Sequence, residues 1–437
     1  MTNNPKLLPF KGLRYNANKV SNLADVVTPP YDVINPEMQN EFYERHPYNF
    51  VKIDLNKEPG DKRYEEAGKL FKQWIDAGIL VQDEKPAFYF HHQIFKLSDG
   101  HEITRKGFFG VRRIEDFSEG GIKPHEKTLE GPKADRLKLM RATQTQLSPV
   151  FSLYSDPQKN IDALVGKIKS EKPLIDFVTV EGERHQLWKA EEPSVCTKIN
   201  SFLGEQPLFI ADGHHRYETS LNYRNECRQK NPGAVNLEPF NYGIMYFSNM
   251  SDEGLIILPI HRALHSIKNF KFEALLEKLR PYFEITPLGE TNPQKIVEKL
   301  AEAGKQAHAF VLLTKDSKQS CIISLKRQDW ISSLVAKTVS ESLRPLDVTV
   351  LHRLVFEEIL GISQTAQANQ ENIIYWKDTK KAINETQKGA CEITFLLNPT
   401  RIQDMERVAM AGEKMPQKST YFYPKILSGL VMHPLWV

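Results

Sequence analysis

The residue types best suited to chemistry are concentrated in one short run, Asp212-Gly213-His214-His215-Arg216. The apolar segment Pro207–Ala211 before it reads as a strand, and Tyr217–Gln229 after it reads as a helix. Gly213 at the junction permits a backbone geometry that a Cβ disfavours. Amides at a helix start have no intrahelical acceptor and favour an anion. Arg216 adds a planar fork of donors suited to phosphate or carboxylate. Asp212, at the strand end, could hold a metal ion or a hydroxyl. The bland alternative is a helix-capping aspartate beside two surface histidines, since short motifs recur by chance.

Three weaker signals stand apart from this run. In His125-Glu126-Lys127-Thr128, with Arg136, Arg141 and Thr143 downstream, Glu126 has the chemistry of a general base and the cations could bind charge. The second histidine of HExxH is missing, so a zincin site is excluded, and a solvated charged loop is the competing reading. Pro29-Pro30 holds the chain extended and places Tyr31 and Asp32 rigidly, which also describes a plain surface turn. The segment Pro416-Gln417-Lys418-Ser419-Thr420-Tyr421-Phe422-Tyr423-Pro424-Lys425 offers lysines and hydroxyls to a phosphate, although its aromatics would equally pack the terminus onto the body. His261-Arg262 is fainter, and His91-His92 reads as half-buried sheet.

The elements that must position these residues follow from periodicity. Residues 36–47 and 61–78 read as helices, the second with Tyr64, Ala67, Leu70, Phe71, Trp74 and Ile75 on one face. Ala87–Leu97 and Glu102–Val111 read as a hairpin turning at Ser98-Asp99-Gly100. Ser118–Gln146 is polar without apolar periodicity, which points to function rather than scaffold. Strands are expected at 150–154, 177–180, 185–188, 242–247 and 255–260, and helices at 161–168 and 195–202. From about residue 265 the pattern restarts, with helices at 272–282, 348–360 and 401–410 and strands at 308–313, 320–325 and 394–397. The fold class is mixed α/β (α+β). Antiparallel turns and the lack of GxGxxG argue against a doubly wound sheet. A break at 264/265 would divide residues 1–264 from a C-terminal α/β domain, 265–437, whose segment 415–425 packs back on the body.

Composition narrows the partners. A net charge of +3 over 437 residues, without a dense basic stripe, disfavours nucleic acid. Cys196, Cys227, Cys321 and Cys391 are far apart and form no CxxC pair, which argues against structural zinc and fits a reducing compartment. The N-terminus has no apolar signal region and no run approaches the roughly 20 residues of a membrane span, so a cytoplasmic protein is expected.

Several segments, in order, carry a resemblance over nearly the whole chain: PFKGLRYN at the start, PPYDVI at 29–34, HPYNF at 46–50, HEKT at 125–128, ADGHHRYET at 211–219 and MPQKSTYFYPK at 415–425. The chain resembles a widespread family of long conserved proteins that carry the DGHHR motif. That motif is similar to the phosphate-holding turn of the ParB/sulfiredoxin-like superfamily, and some family members resemble free-serine kinases. The resemblance implies a ParB/sulfiredoxin-like core with large insertions. It implies a phosphotransferase acting on a small hydroxylated metabolite such as free L-serine, with ATP, ADP or pyrophosphate as donor and Mg²⁺ held at Asp212. On this reading Asp212, His214 and His215 join Glu126 as catalytic residues, and Gly213, Arg216 and Arg136 bind phosphate. Tyr31, Asp32, His125, Thr128 and Lys418 contact the substrate. A nucleotide-responsive DNA-associated protein and a phosphate-ester or nucleotide hydrolase are the alternatives, and a homodimer stays open.

Overall fold

The computed structural model describes residues 5–97, 99–168, 172–233, 237–316, 319–327 and 339–436. The architecture is mixed α/β, in two compact units. The first comprises the chain up to Pro124, Thr128–Ile256 and the chain from Pro424; the second comprises His125–Lys127 and Ile257–Tyr423. The break expected at 264/265 falls at the end of the strand His261–Leu264, inside the second unit.

The first unit is built on a nine-stranded sheet. Across it run Ile122–Lys123, Leu208–Asp212, Val150–Tyr154, Tyr242–Asn249, Glu102–Arg113, Phe88–Lys96, Arg184–Ala190 and Ile175–Val178, with Leu7–Leu8 also pairing to Glu102–Arg113. Two of the pairings are parallel and the rest antiparallel, so the sheet is not doubly wound. The expected hairpin is present, with Tyr89 opposite Phe109 and Lys96 opposite Glu102. Ser98 of its turn lies outside the described residues. One face is apolar: Phe88, Phe90, Phe108, Met245 and Phe247 pack with Ile161, Ile199, Leu203 and Tyr217 from the helices Asn160–Ile168, Pro193–Leu203 and His214–Lys230.

The other face is buried as well, but polar and aromatic. Register sets Asp212 beside Phe151, Phe151 beside Tyr246, and Tyr246 beside Phe109. Arg105 lies over Phe151 and Tyr246, 5.0 and 5.9 Å from their ring centres. Because both faces are covered, His91 and His92 are both buried rather than half-exposed. The His91 Nε2 and His185 Nδ1 atoms are 3.0 Å apart, and burial pushes the pKa of each imidazole down.

Three further expectations are corrected. The polar stretch after Ser118 contains a 14-residue helix, Glu130–Thr143. Its buried face mixes Leu139 and Met140 with Arg136 and Thr143, so the apolar stripe that signals a helix is diluted. The helix after the glycine starts at His214, not Tyr217, for the same reason: its buried residues include His214, Arg216, Thr219, Ser220 and Arg224. Residues 255–260 hold a shorter strand, Ile256–Leu258, and a separate strand follows at His261–Leu264.

The second unit carries an antiparallel six-stranded sheet in the order Phe283–Pro287, Cys321–Leu325, Ala309–Leu313, Ile393–Leu396, His261–Leu264, Ile373–Trp376. Helices Pro293–Ala303 and Thr379–Gln387 bury Ile296, Leu300, Ala382 and Ile383 against Ala309, Val311 and Leu396. The helix expected over 348–360 is α-helical only at Asp347–Val350 and continues as a π-helical run, Leu351–Ile359. No helix among the described residues is long and apolar enough to cross a membrane.

Candidate functional site

The strand Leu208–Asp212 ends where Gly213 takes a left-handed φ of 89°, and the helix His214–Lys230 begins without a side-chain cap. A Cβ on Gly213 would meet Arg216 Nε at 2.8 Å, because the guanidinium lies directly over the turn. Its Nη2 donates to Asp212 Oδ2 at 2.5 Å, and its Nη1 donates to the Pro149 carbonyl. Lys425 Nζ donates to the other Asp212 oxygen at 2.5 Å. Burial alone would raise the Asp212 pKa, but Lys425 and Arg216, with His214 nearby, hold the carboxyl well below the usual range. Gly213→Ala combines a disfavoured φ with this contact, so it should cost roughly 1–3 kcal/mol. Urea unfolding of the two proteins measures the loss, and an unchanged midpoint would contradict the close packing of Arg216 on the turn.

A second carboxylate lies in the same unit. Asp54 ends the short helix Val51–Asp54 and is 3% exposed. Arg136 Nη1 donates to its Oδ1 at 2.6 Å and Arg136 Nη2 to its backbone carbonyl at 3.0 Å, while Oδ2 is buried with no hydrogen-bond partner among the described residues. Burial raises the Asp54 pKa, and the Arg136 and Arg216 charges only partly offset it. Arg136 is fixed further by Asp135, 2.7 Å from its Nε, and stacks 4.1 Å from the Tyr31 ring centre. Burial, reinforced by Asp32, pushes the Tyr31 hydroxyl up to about 12. Tyr31, Asp54, Arg136, Ser148, Arg216 and Thr219 line a common cleft of about 40 Å³. By volume it holds roughly three waters, so a larger ligand requires Arg216 or Tyr31 to move.

The structure therefore brings Tyr31, Arg136 and Arg216 of the expected residues to one cleft, with Asp212 and Gly213 at its arginine. Asp32 shares the 3₁₀ turn Tyr31–Val33. His214 is buried, and His215 Nε2 accepts from the Leu129 amide at 2.9 Å. Thr128 donates to Glu218 at 2.8 Å, which Lys133 also binds. His125, Glu126 and Lys418 belong to the second unit. There His125 Nε2 is 3.0 Å from Thr420 Oγ1, and the Lys418 carbonyl accepts from Arg262 at 2.8 Å.

The expected Mg²⁺ site at Asp212 does not fit these residues. Both carboxylate oxygens already accept from cations, and no group of three His, Cys, Asp or Glu among the described residues could hold a metal. Sequence reasoning missed Asp54 and chose Lys418 over Lys425. Asp54 gave no signal, sitting in the ordinary run Val51-Lys52-Ile53-Asp54. Lys425 did have one: it closes the MPQKSTYFYPK segment, immediately after the Pro424 that ends an extended stretch.

The family model described as "Protein of unknown function (DUF1015)" matches residues 7–349. No curated protein matches the chain. Among solved structures the chain is similar to a conserved hypothetical protein from Pyrococcus furiosus, at 14% identity over 73% of this chain and 92% of that one, with a TM-score of 0.33. It is also similar to a free serine kinase variant in complex with ADP, at 12% identity over 72% and 87%, TM-score 0.35. SbnI from Staphylococcus aureus, truncated at its C-terminus, is similar at 10% identity over 75% and 87%, TM-score 0.34.

Proposed function

The chain belongs to the DUF1015 family, and we propose that it is a phosphotransferase acting on a small hydroxylated metabolite, with free L-serine the first acceptor to test. The observation that carries this reading is the arrangement at the turn: an uncapped helix start at Gly213 with the Arg216 guanidinium over it and Lys425 alongside. That is a cradle for charged oxygens of ATP, ADP or pyrophosphate. The strand–turn–helix is read here as the phosphate turn of a ParB/sulfiredoxin-like core.

Phosphoryl transfer needs positioning and charge neutralisation more than covalent help. The transferring group would lie at the amides after Gly213, with Arg216 exchanging its bond to Asp212 for one to the phosphate. Arg136 would neutralise charge on the same group from the opposite helix. Asp54 is the base in this scheme, in place of Glu126: its unpartnered Oδ2 accepts the acceptor's hydroxyl proton as the new O–P bond forms. The donor's bridging P–O bond breaks, and the leaving group departs as ADP, AMP or phosphate. Asp212 orients Arg216 before the donor binds and holds Lys425 throughout, and no step is routed through a metal.

Incubating the protein with L-serine and each donor in turn, and detecting phosphoserine by ³¹P NMR, tests this directly. Product with one donor is expected. Absence of phosphoserine with all three removes the serine assignment, and phosphate release without an acceptor would make the protein a hydrolase.

A further inference from the structure

The second unit contains a cavity that the phosphotransferase reading does not use. Its volume is about 440 Å³, within the ordinary range of small-molecule sites. Lys127, the π-helical run Leu351–Ile359, the helix Gln364–Ala368 and the segment from Gly412 to Gln417 border it. It therefore draws on two sequence segments singled out above, HEKT and MPQKST. The Met415 amide donates to the His125 carbonyl at 2.8 Å, which pins the two together. Lys418, just beyond, takes a left-handed φ of 57° without being glycine, a conformation kept where the surroundings demand it.

Three features of the wall point to a ligand. Thr349 lines the cavity and is 2% exposed, yet its hydroxyl has no hydrogen-bond partner among the described residues. A helical threonine can satisfy itself on a carbonyl one turn back, so a buried unpaired hydroxyl calls for an explanation. The π-helical run inserts an unfavourable backbone geometry into the same wall, and such insertions concentrate at functional positions. His352, also lining the cavity, is buried; burial and then Arg262 push its pKa down to about 3. Arg262 Nε donates to His352 Nε2 at 3.3 Å, so the neutral ring carries its proton on Nδ1, and the Gln367 side chain, another residue of the wall, hydrogen-bonds the same imidazole.

The charges select the class of ligand. Lys127, Arg353 and Lys414 line the cavity, and so do Glu357 and Glu413; Arg353 Nη1 donates to Glu357 at 2.9 Å, so a ligand with both charges would replace that pairing at each end. A polyphosphate would meet two carboxylates there. A molecule carrying a carboxylate and an ammonium finds partners for both, with hydroxyl and amide groups between them. We infer that this cavity binds a free amino acid. The inference is independent of the phosphotransferase reading, because every residue it uses lies in the second unit.

The test is a thermal-shift screen of the full chain against the twenty standard L-amino acids and inorganic pyrophosphate, followed by calorimetry on any hit. No phosphoryl donor accompanies the amino acids, so missing phosphoserine would not bear on the result. At least one amino acid should raise the melting temperature. Its affinity should fall tenfold or more in Thr349→Val and in Arg353→Gln, while unliganded Thr349→Val melts no lower than the parent. Arg353 is part-exposed, so that variant keeps the test usable if Thr349→Val does not fold. No amino-acid shift, an affinity unchanged in both variants, or pyrophosphate binding lost in both instead would overturn the assignment.

Discussion

Arg216→Lys should lower turnover about a thousandfold, the scale on which an arginine acts in phosphoryl transfer. Lysine keeps the positive charge but loses the fork that now joins Asp212, the Pro149 carbonyl and the surface over Gly213. A single ammonium cannot span the turn and reach a phosphate together. The expected loss is in kcat, with the melting temperature falling only a few degrees because Lys425 still neutralises Asp212. Steady-state kinetics beside a melting curve separates the two effects. If the variant keeps more than a tenth of the parent's kcat, Arg216 does not contact the transferring group and the turn is scaffold.

Asp54→Asn is expected to cost roughly 10²–10⁴-fold in kcat, the usual contribution of a positioned base. Asparagine has the same shape, and Asp135 still neutralises Arg136, so the change is chiefly in proton affinity. The pH profile gives a readout that packing alone would not move. Burial raises the Asp54 pKa in the fold, so the folded state holds its proton to higher pH than the unfolded chain. The stability this group contributes is present below the ordinary carboxylate pKa of about 4 and is lost as pH rises through the raised value. Activity runs the other way, climbing over that interval as the base ionises. In the asparagine variant both dependences should flatten. An active Asp54→Asn beside an inactive Glu126→Gln would return the role of base to Glu126.

How much of this could be read from the sequence depended on how each element is buried. The hairpin of Phe88–Lys96 and Glu102–Arg113 was found from its apolar runs and polar turn, and the helix Lys62–Asp76 from a clean apolar face. The helices that make the candidate site were blurred or missed. Glu130–Thr143 buries Arg136, and His214–Lys230 buries His214, Arg216 and Arg224, so the polar side chains that make these helices interesting also erase their periodicity. Asp54 was invisible for a related reason. A carboxylate paired to an arginine 82 positions away leaves no local trace. His91 and His92 were misjudged because a sequence cannot show that a sheet will be covered on both faces. The glycine turn itself was readable, since one left-handed residue between an apolar strand and a helix is a strictly local event.

Asp212 and Lys425 are separated by 213 positions, and almost the whole second unit is threaded between them. A chain leaving the ribosome therefore exposes the aspartate, its helix and Arg216 long before the lysine. In that interval the carboxylate has one cation instead of two. The first unit can close only after residues 257–423 have emerged, so its maturation is timed by the synthesis of its neighbour.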